Sequence, residues 1–219
     1  MSTSIDYFTN RVLSEVKGCP KLVAQDVLMD VLQDFCSRTL IVQEGWEHTI
    51  EDTDPDSTLN DSIDVTTPTA KESWIPCGIL RLQIDGYDYL TEERYIPDDI
   101  TDFDEGLYVD GKKFFYYSGT TTIVMYPFDS VDADMFVLAA FKPSTSITTV
   151  DDDFYRDWHY VIEAGVMARL FEMANQPWSD PNLAMVRLAR YESGVGSAKC
   201  KVSLSWPDRT KTRRTKDFI

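Results

Sequence analysis

Histidine is almost missing from this 219-residue chain: His48 and His159 are the only two. So few imidazoles leave little material for proton relays or zinc centres. The chain has no Gly-x-Ser-x-Gly and no His-Glu-x-x-His run, and no glycine-rich loop ends in Lys-Ser or Lys-Thr. The signatures of serine hydrolases, zinc proteases and P-loop nucleotide binding are therefore absent. Gly194-Val195-Gly196-Ser197 comes nearest to a phosphate loop, but it falls inside a helical pattern. The four cysteines, Cys19, Cys36, Cys77 and Cys200, show no Cys-x-x-Cys spacing. They are expected to be buried thiols in a reducing compartment rather than metal ligands. No run approaches eighteen apolar residues, so no membrane-spanning helix is expected. Residues Met1 to Asp6 lack the basic and apolar regions of a signal peptide, which predicts a protein that stays in the cytoplasm where it is made. From these absences no catalytic residue, no cofactor and no metal is expected.

Positive charge is scarce too. Lys and Arg number 21 against 37 Asp and Glu, a formal net charge of −16. Phosphate binding needs Lys and Arg, so this surface as a whole disfavours nucleic acid. One stretch departs from the rest. After Trp206 come Arg209, Lys211, Arg213, Arg214 and Lys216, opposed only by Asp208 and Asp217. Five bases against two acids give this tail +3 and leave −19 for the remainder. Pro207 stops the preceding helix, and Phe218 and Ile219 are the only large apolar residues that follow. Such a segment cannot fold alone. It is predicted to be an arm for partner capture, with Phe218 and Ile219 as a small apolar anchor.

The acids invite two further readings. Asp52-x-Asp54-x-Asp56 alternates like a calcium loop, but Ser57 and Ile63 stand where that loop needs glycine and glutamate. Asp98, Asp99, Asp102, Asp104 and Glu105 form a second group without a companion base, which reads as a solvated loop.

What the chain does have is enough apolar residues for a core, 43% of the total. Ile5, Phe8, Val12 and Val16 mark one side of a helix over Ile5–Val16, with Ser4 as cap and Asp6 in its first turn. Cys19-Pro20 starts a second, Pro20–Val42, with an apolar face of Leu22, Met29, Leu32, Phe35, Cys36 and Leu40 widened by Val23, Val27 and Val31. Glu47–Ala70 is acidic and loop-like, with a strand near Ile63 and Val65. Strands follow at Ile79–Ile84, Tyr87–Leu90, Leu107–Val109, Lys112–Tyr117, Thr121–Tyr126 and Met135–Phe141, with Asp85-Gly86 and Asp110-Gly111 as hairpin turns. A third helix, Asp153–Ala174, is apolar around most of its circumference, and Gly165 implies a close helix contact. Asp180 and Pro181 open a fourth, Pro181–Val202, with a seam of Ala184, Leu188, Tyr191, Val195, Ala198 and Val202. Phe35, Leu170 and Leu188 are expected to share one core. The order helices, strands, helices predicts an α+β fold: a four-helix bundle with an inserted small antiparallel β domain. Residues 1–46 and 143–205 are assigned to the bundle, 47–142 to the insert and 206–219 to the basic arm.

Three blocks carry a family resemblance. They are Val16-Lys17-Gly18-Cys19-Pro20 with Asp34-Phe35-Cys36-Ser37-Arg38-Thr39, the run Tyr160 to Leu170, and Gln176 to Ala184. Together they resemble the head-to-tail adaptor proteins of short-tailed bacteriophages, also called connector or tail tubular proteins. A Lys142-Pro143 step back into the helices is similar to that family as well. The acidic Glu47–Ala70 stretch and the tail after Val202 match nothing in it. The resemblance implies a structural protein that forms a ring, twelvefold in the virion, on the portal protein. It implies a continued DNA channel through which DNA passes without specific binding, a docking surface for a tail or nozzle protein, and a location at the head–tail interface with no membrane. It also implies that the end of the chain reaches into the portal, so Arg209, Lys211, Arg213, Arg214 and Lys216 are candidate partners of portal carboxylates. Two readings from other classes stand beside it: a tail-associated hydrolase using the acidic clusters, and a DNA-binding module using the basic tail.

Overall fold

A computed structural model describes residues 2–50, 62–64, 73–84, 87–91, 114–117, 122–126 and 133–205. The chain is α+β, with four helices and two sheets. Strand β1 (Ser2–Ser4) leads into α1 (Ile5–Glu15), followed by α2 (Lys21–Thr39). Strands β2 (Gln43–Ile50), β3 (Ser62–Asp64), β4 (Trp74–Ile84), β5 (Tyr87–Thr91), β6 (Phe114–Tyr117), β7 (Thr122–Tyr126) and β8 (Ala133–Pro143) come next. The chain then forms β9 (Thr149–Asp151), α3 (Asp152–Glu172) and α4 (Pro181–Ser205).

Several helix ends have a local cause. The Ser4 hydroxyl accepts the Asp6 N–H at 3.3 Å and caps α1. Gly18 takes a φ of +89° in the turn to α2, a region glycine enters without strain. α2 stops three residues before the expected end, because Leu40 adopts a left-handed conformation with φ 53°. The expected helix Pro20–Val42 thus takes in Ile41 and Val42, which lead into β2 instead. Asp180 Oδ1 accepts the N–H groups of Asn182 and Leu183 at 3.0 and 3.1 Å, the expected cap of α4.

All four helices contribute to one core. It gathers Ile5, Phe8, Val12 and Val16 with Leu28, Val31, Leu32 and Phe35, then Ile162, Val166 and Leu170, then Ala184, Tyr191, Val195 and Ala198. Two expected members are misplaced. Leu188 is 49% exposed and Leu22 is 74% exposed, while Ala24 and Leu28 are fully buried in α2. Phe35 and Leu170 share the core as expected, and Leu188 does not. On α4, Tyr191 and Val195 face inward, and Leu188 falls at the rim of that arc. Small residues set the α3–α4 spacing. A Cβ on Gly194 would lie 2.4 Å from Val161, and one on Gly165 would lie 2.7 Å from the Tyr191 ring.

The larger sheet has the order β2-β8-β4-β5-β6-β7-β3, antiparallel except for the short parallel pairing of β5 with β6. Ile84 pairs with Tyr87, the register of a two-residue turn, although Asp85 and Gly86 themselves lie outside the described residues. β4 begins at Trp74 rather than Ile79. Its register shifts at Pro76/Gly78 and Ile79/Arg81 let the strand carry a proline and a glycine. β2 was missed: its first residues fall in the segment assigned to the bundle and the rest in the acidic Glu47–Ala70 stretch, yet it pairs along its length with β8. The expected strand at Leu107–Val109 and its Asp110-Gly111 turn lie outside the described residues. The second sheet, β1 with β9, was also missed; it ties the N-terminus to the start of α3. Phe141 N–H donates to Val42 O at 2.8 Å, extending the β2–β8 pairing, and the larger sheet is joined to α2 where the Gln33 side chain donates to Pro143 O at 3.0 Å.

Candidate partner-binding surfaces

The arm residues Arg209, Lys211, Arg213, Arg214, Lys216, Phe218 and Ile219 lie outside the described residues, as do Asp52, Asp54, Asp56 and the acids from Asp98 to Glu105. His48 belongs to β2, and its side chain is likewise outside them. His159 is buried in α3. Its Nδ1 is 3.0 Å from Tyr155 O, and its ring stacks on Tyr155 at 4.8 Å. This imidazole is held by packing and a backbone bond. Gly194 to Ser197 lie within α4, as the helical pattern implied. The cysteines need a correction. Cys19 and Cys36 are buried, but Cys77 is half-buried and Cys200 is exposed. Cys200 falls on the outer side of α4, away from the Val195–Ala198 seam. Among the described residues no three His, Cys, Asp or Glu side chains converge as a metal site.

The Asp34–Thr39 motif is a junction of three helices. Arg38 donates two bonds to Glu192 of α4, at 2.8 and 2.5 Å, and lies 3.5 Å from Asp34. Tyr191 donates to Asp34 at 2.7 Å, and Arg169 of α3 approaches the same carboxylate at 3.8 Å. The hydrogen bond to Glu192 raises the Arg38 pKa, and the reverse effect holds Glu192 below the usual carboxylate range. Burial, and then the bond to Asp34, push the Tyr191 phenol up. Phe35 sits beneath, beside Trp158 at 5.5 Å, and Thr39 returns its hydroxyl to Phe35 O at 2.7 Å. The motif joins helices and presents no open chemistry.

A second polar group lies among α1, α3 and α4. Arg11 Nε is 2.6 Å from Oε1 of the buried Glu163, and Arg187 pairs with Glu15. Burial pushes the Glu163 pKa up, and Arg11 offsets only part of that. Arg11 also lies 5.6 Å over the exposed Tyr160 ring. These residues, with Arg190, line a shallow cleft of about 370 Å³.

A larger cleft, about 630 Å³, opens where α3 begins and α4 ends. Its walls are Ile41, Val42, Phe154, Trp158 and Val202, and its rim carries Asp151, Asp152, Asp153, Asp157 and Lys201. Lys201 Nζ sits 2.7 Å from Asp157 and 5.5 Å over the Trp158 ring. That ammonium is the largest cause holding Asp157 below its ordinary pKa. Elsewhere on α4, Leu183, Met185, Val186 and Leu188 are exposed in its first two turns. No described helix is long and apolar enough to cross a membrane.

No protein-family model matches the chain, and no curated protein matches it significantly.

Proposed function

We propose that this protein is a structural head-to-tail adaptor of a short-tailed bacteriophage, built as a four-helix bundle with an inserted antiparallel β domain. It assembles as a ring on the portal, twelvefold in the virion. It continues the DNA channel and offers a docking surface to a tail or nozzle protein. The observation that carries the reading is where the resembling motifs fall. Gly18-Cys19-Pro20 forms the α1–α2 turn, Asp34 to Thr39 forms the three-helix junction, and Gln176 to Ala184 forms the α3–α4 turn. The sheet departs and returns between α2 and α3, as in that family's plan. Two surface properties support it. A net charge of −16 suits a channel wall along which DNA must slide without sticking. Leu183, Met185, Val186 and Leu188 leave apolar side chains on the first turns of α4 open to a neighbour.

The test is to mix the purified chain with portal rings and with portal-bearing heads of the same virus. Co-sedimentation and a ring seen by electron microscopy on the portal are expected. A folded chain that neither associates with the portal nor closes into a ring in its presence sinks the reading. An isolated monomer does not, because the portal can template the ring.

A further inference from the structure

We infer that the cleft at the start of α3 is the seat of the chain's own basic arm, residues 209–216, in the free protein. The cleft has an unmatched need for positive charge. Asp151, Asp152, Asp153 and Asp157 face it, and among the described residues only Lys201 and Arg156 answer them. Arg156 is 2.9 Å from Asp153 and 3.5 Å from Asp157; Thr3 donates to Asp152 at 2.6 Å. Asp151 makes no ion pair among the described residues. Two negative charges therefore remain, beside a floor of Phe154 and Trp158.

The cleft already shows how a base fits. Lys201 lies between the Asp157 carboxylate and the Trp158 face, so charge and cation–π attraction act together. The arm carries five more such groups. α4 ends at Ser205, one turn beyond Lys201 and so about 6 Å past it. Pro207 bars the helix from continuing. Arg209 can then lie within about 14 Å of Ser205, and Arg214 within about 30 Å, so the arm can fold back along the rim. A tether this short gives an effective concentration on the order of millimolar, which favours the chain's own arm over a neighbour's. The arm is also the one strongly basic stretch of a chain whose remainder carries −19. The inference does not rest on the adaptor reading, and its test needs no portal.

Zero-length carbodiimide cross-linking of the full chain reads the seat directly, because it joins lysine amines only to carboxylates in contact. Equal amounts of unlabelled and ¹⁵N-labelled protein are mixed first. Links from Lys211 or Lys216 to Asp151, Asp152, Asp153 or Asp157, within single chains, are expected at low salt. They should disappear near about 0.5 M salt. Replacing Arg209, Arg213 and Arg214 together by alanine removes no linkable group, and should lower the yield at Lys211 about tenfold. The melting temperature of that variant checks that the fold is kept. Links scattered over other acids, no links at all, or a yield unmoved by the triple variant each overturn the inference. Links of mixed isotope also overturn it, by placing the arm in the cleft of a second copy.

Discussion

Two glycines in the helix interior have opposite meanings, decided by what surrounds them. Alanine at a solvent-facing helical glycine gains about 1 kcal/mol of propensity. Gly196 has nothing within 4 Å of an added Cβ. Gly196→Ala is therefore expected to stabilise the chain by about 0.5–1 kcal/mol in urea melts. At Gly165 the same methyl meets Tyr191 at 2.7 Å and Val31 at 2.9 Å. Overpacking of this kind costs about 1–3 kcal/mol and outweighs the propensity gain, so Gly165→Ala should lower the midpoint. Two stabilised variants would show that the α3–α4 spacing is not set by Gly165. Thiol chemistry separates residues in the same way. Burial pushes the Cys36 thiol well up, whereas Cys200 is exposed. A disulfide reagent should modify Cys200 quickly in the native protein and Cys36 only after denaturation. Equal rates, followed by peptide mass, would contradict the burial pattern.

Between elements, the polar contacts decide how stability follows pH. The folded-state pKa of Glu163 lies above its ordinary value. The folded chain thus holds this proton more tightly than the unfolded chain, and its contribution weakens as pH rises through the raised value. Arg11 limits that loss by pairing with the carboxylate. Arg11→Ala is expected to cost about 1–3 kcal/mol at pH 7.5, because it leaves a buried charge alone. The deficit should shrink toward pH 4.5, where Glu163 takes up a proton, and Glu163→Gln in the same chain should recover much of it. A deficit that grows on acidification would mean Arg11 acts otherwise. Glu192 has the opposite sign. Arg38 holds its pKa down, so that stability is present above the unfolded value and fades as pH falls through the folded one. Most helices were legible because caps and periodicity agreed: Ser4, Asp180, and the faces of α1 and α3. What escaped was decided at a distance. β2 depends on pairing with β8, which lies some ninety residues on, and the left-handed end of α2 falls on Leu40, where no glycine or asparagine announces it. Leu22 and Leu188 have the right spacing but stay exposed among the described residues. No local pattern distinguishes an apolar residue facing the core from one facing an open side. The acidic cleft was equally hidden, since Asp151–Asp157 and Lys201 meet only through the hairpin.

For the whole molecule, charge sets the terms of assembly. In the proposed ring, twelve copies carry roughly 190 negative charges, which opposes closing at low salt. The Debye length falls from about 10 Å at 0.1 M to about 3 Å at 1 M. Salt should therefore help copies meet through apolar contacts such as Leu183 and Val186. The arm responds in the opposite sense. In the proposed assembly Arg209, Lys211, Arg213, Arg214 and Lys216 would act on portal carboxylates through charge-assisted contacts, which screening weakens. Attachment to portal-bearing heads should consequently rise and then fall as salt increases. Deleting Asp208–Ile219 removes all five bases and takes the formal charge from −16 to −19. The shortened chain should attach less at moderate salt, and the falling limb should vanish, since only self-repulsion then depends on screening. Ordering the arm on the portal also costs entropy, so no single base should carry the effect. Any one of the five changed to alanine is expected to reduce attachment by less than the deletion does. Normal attachment of the folded, shortened chain at moderate salt would rule out the arm as the capture device. It would shift attention to the exposed apolar residues of α4 as a further candidate for contact with the portal.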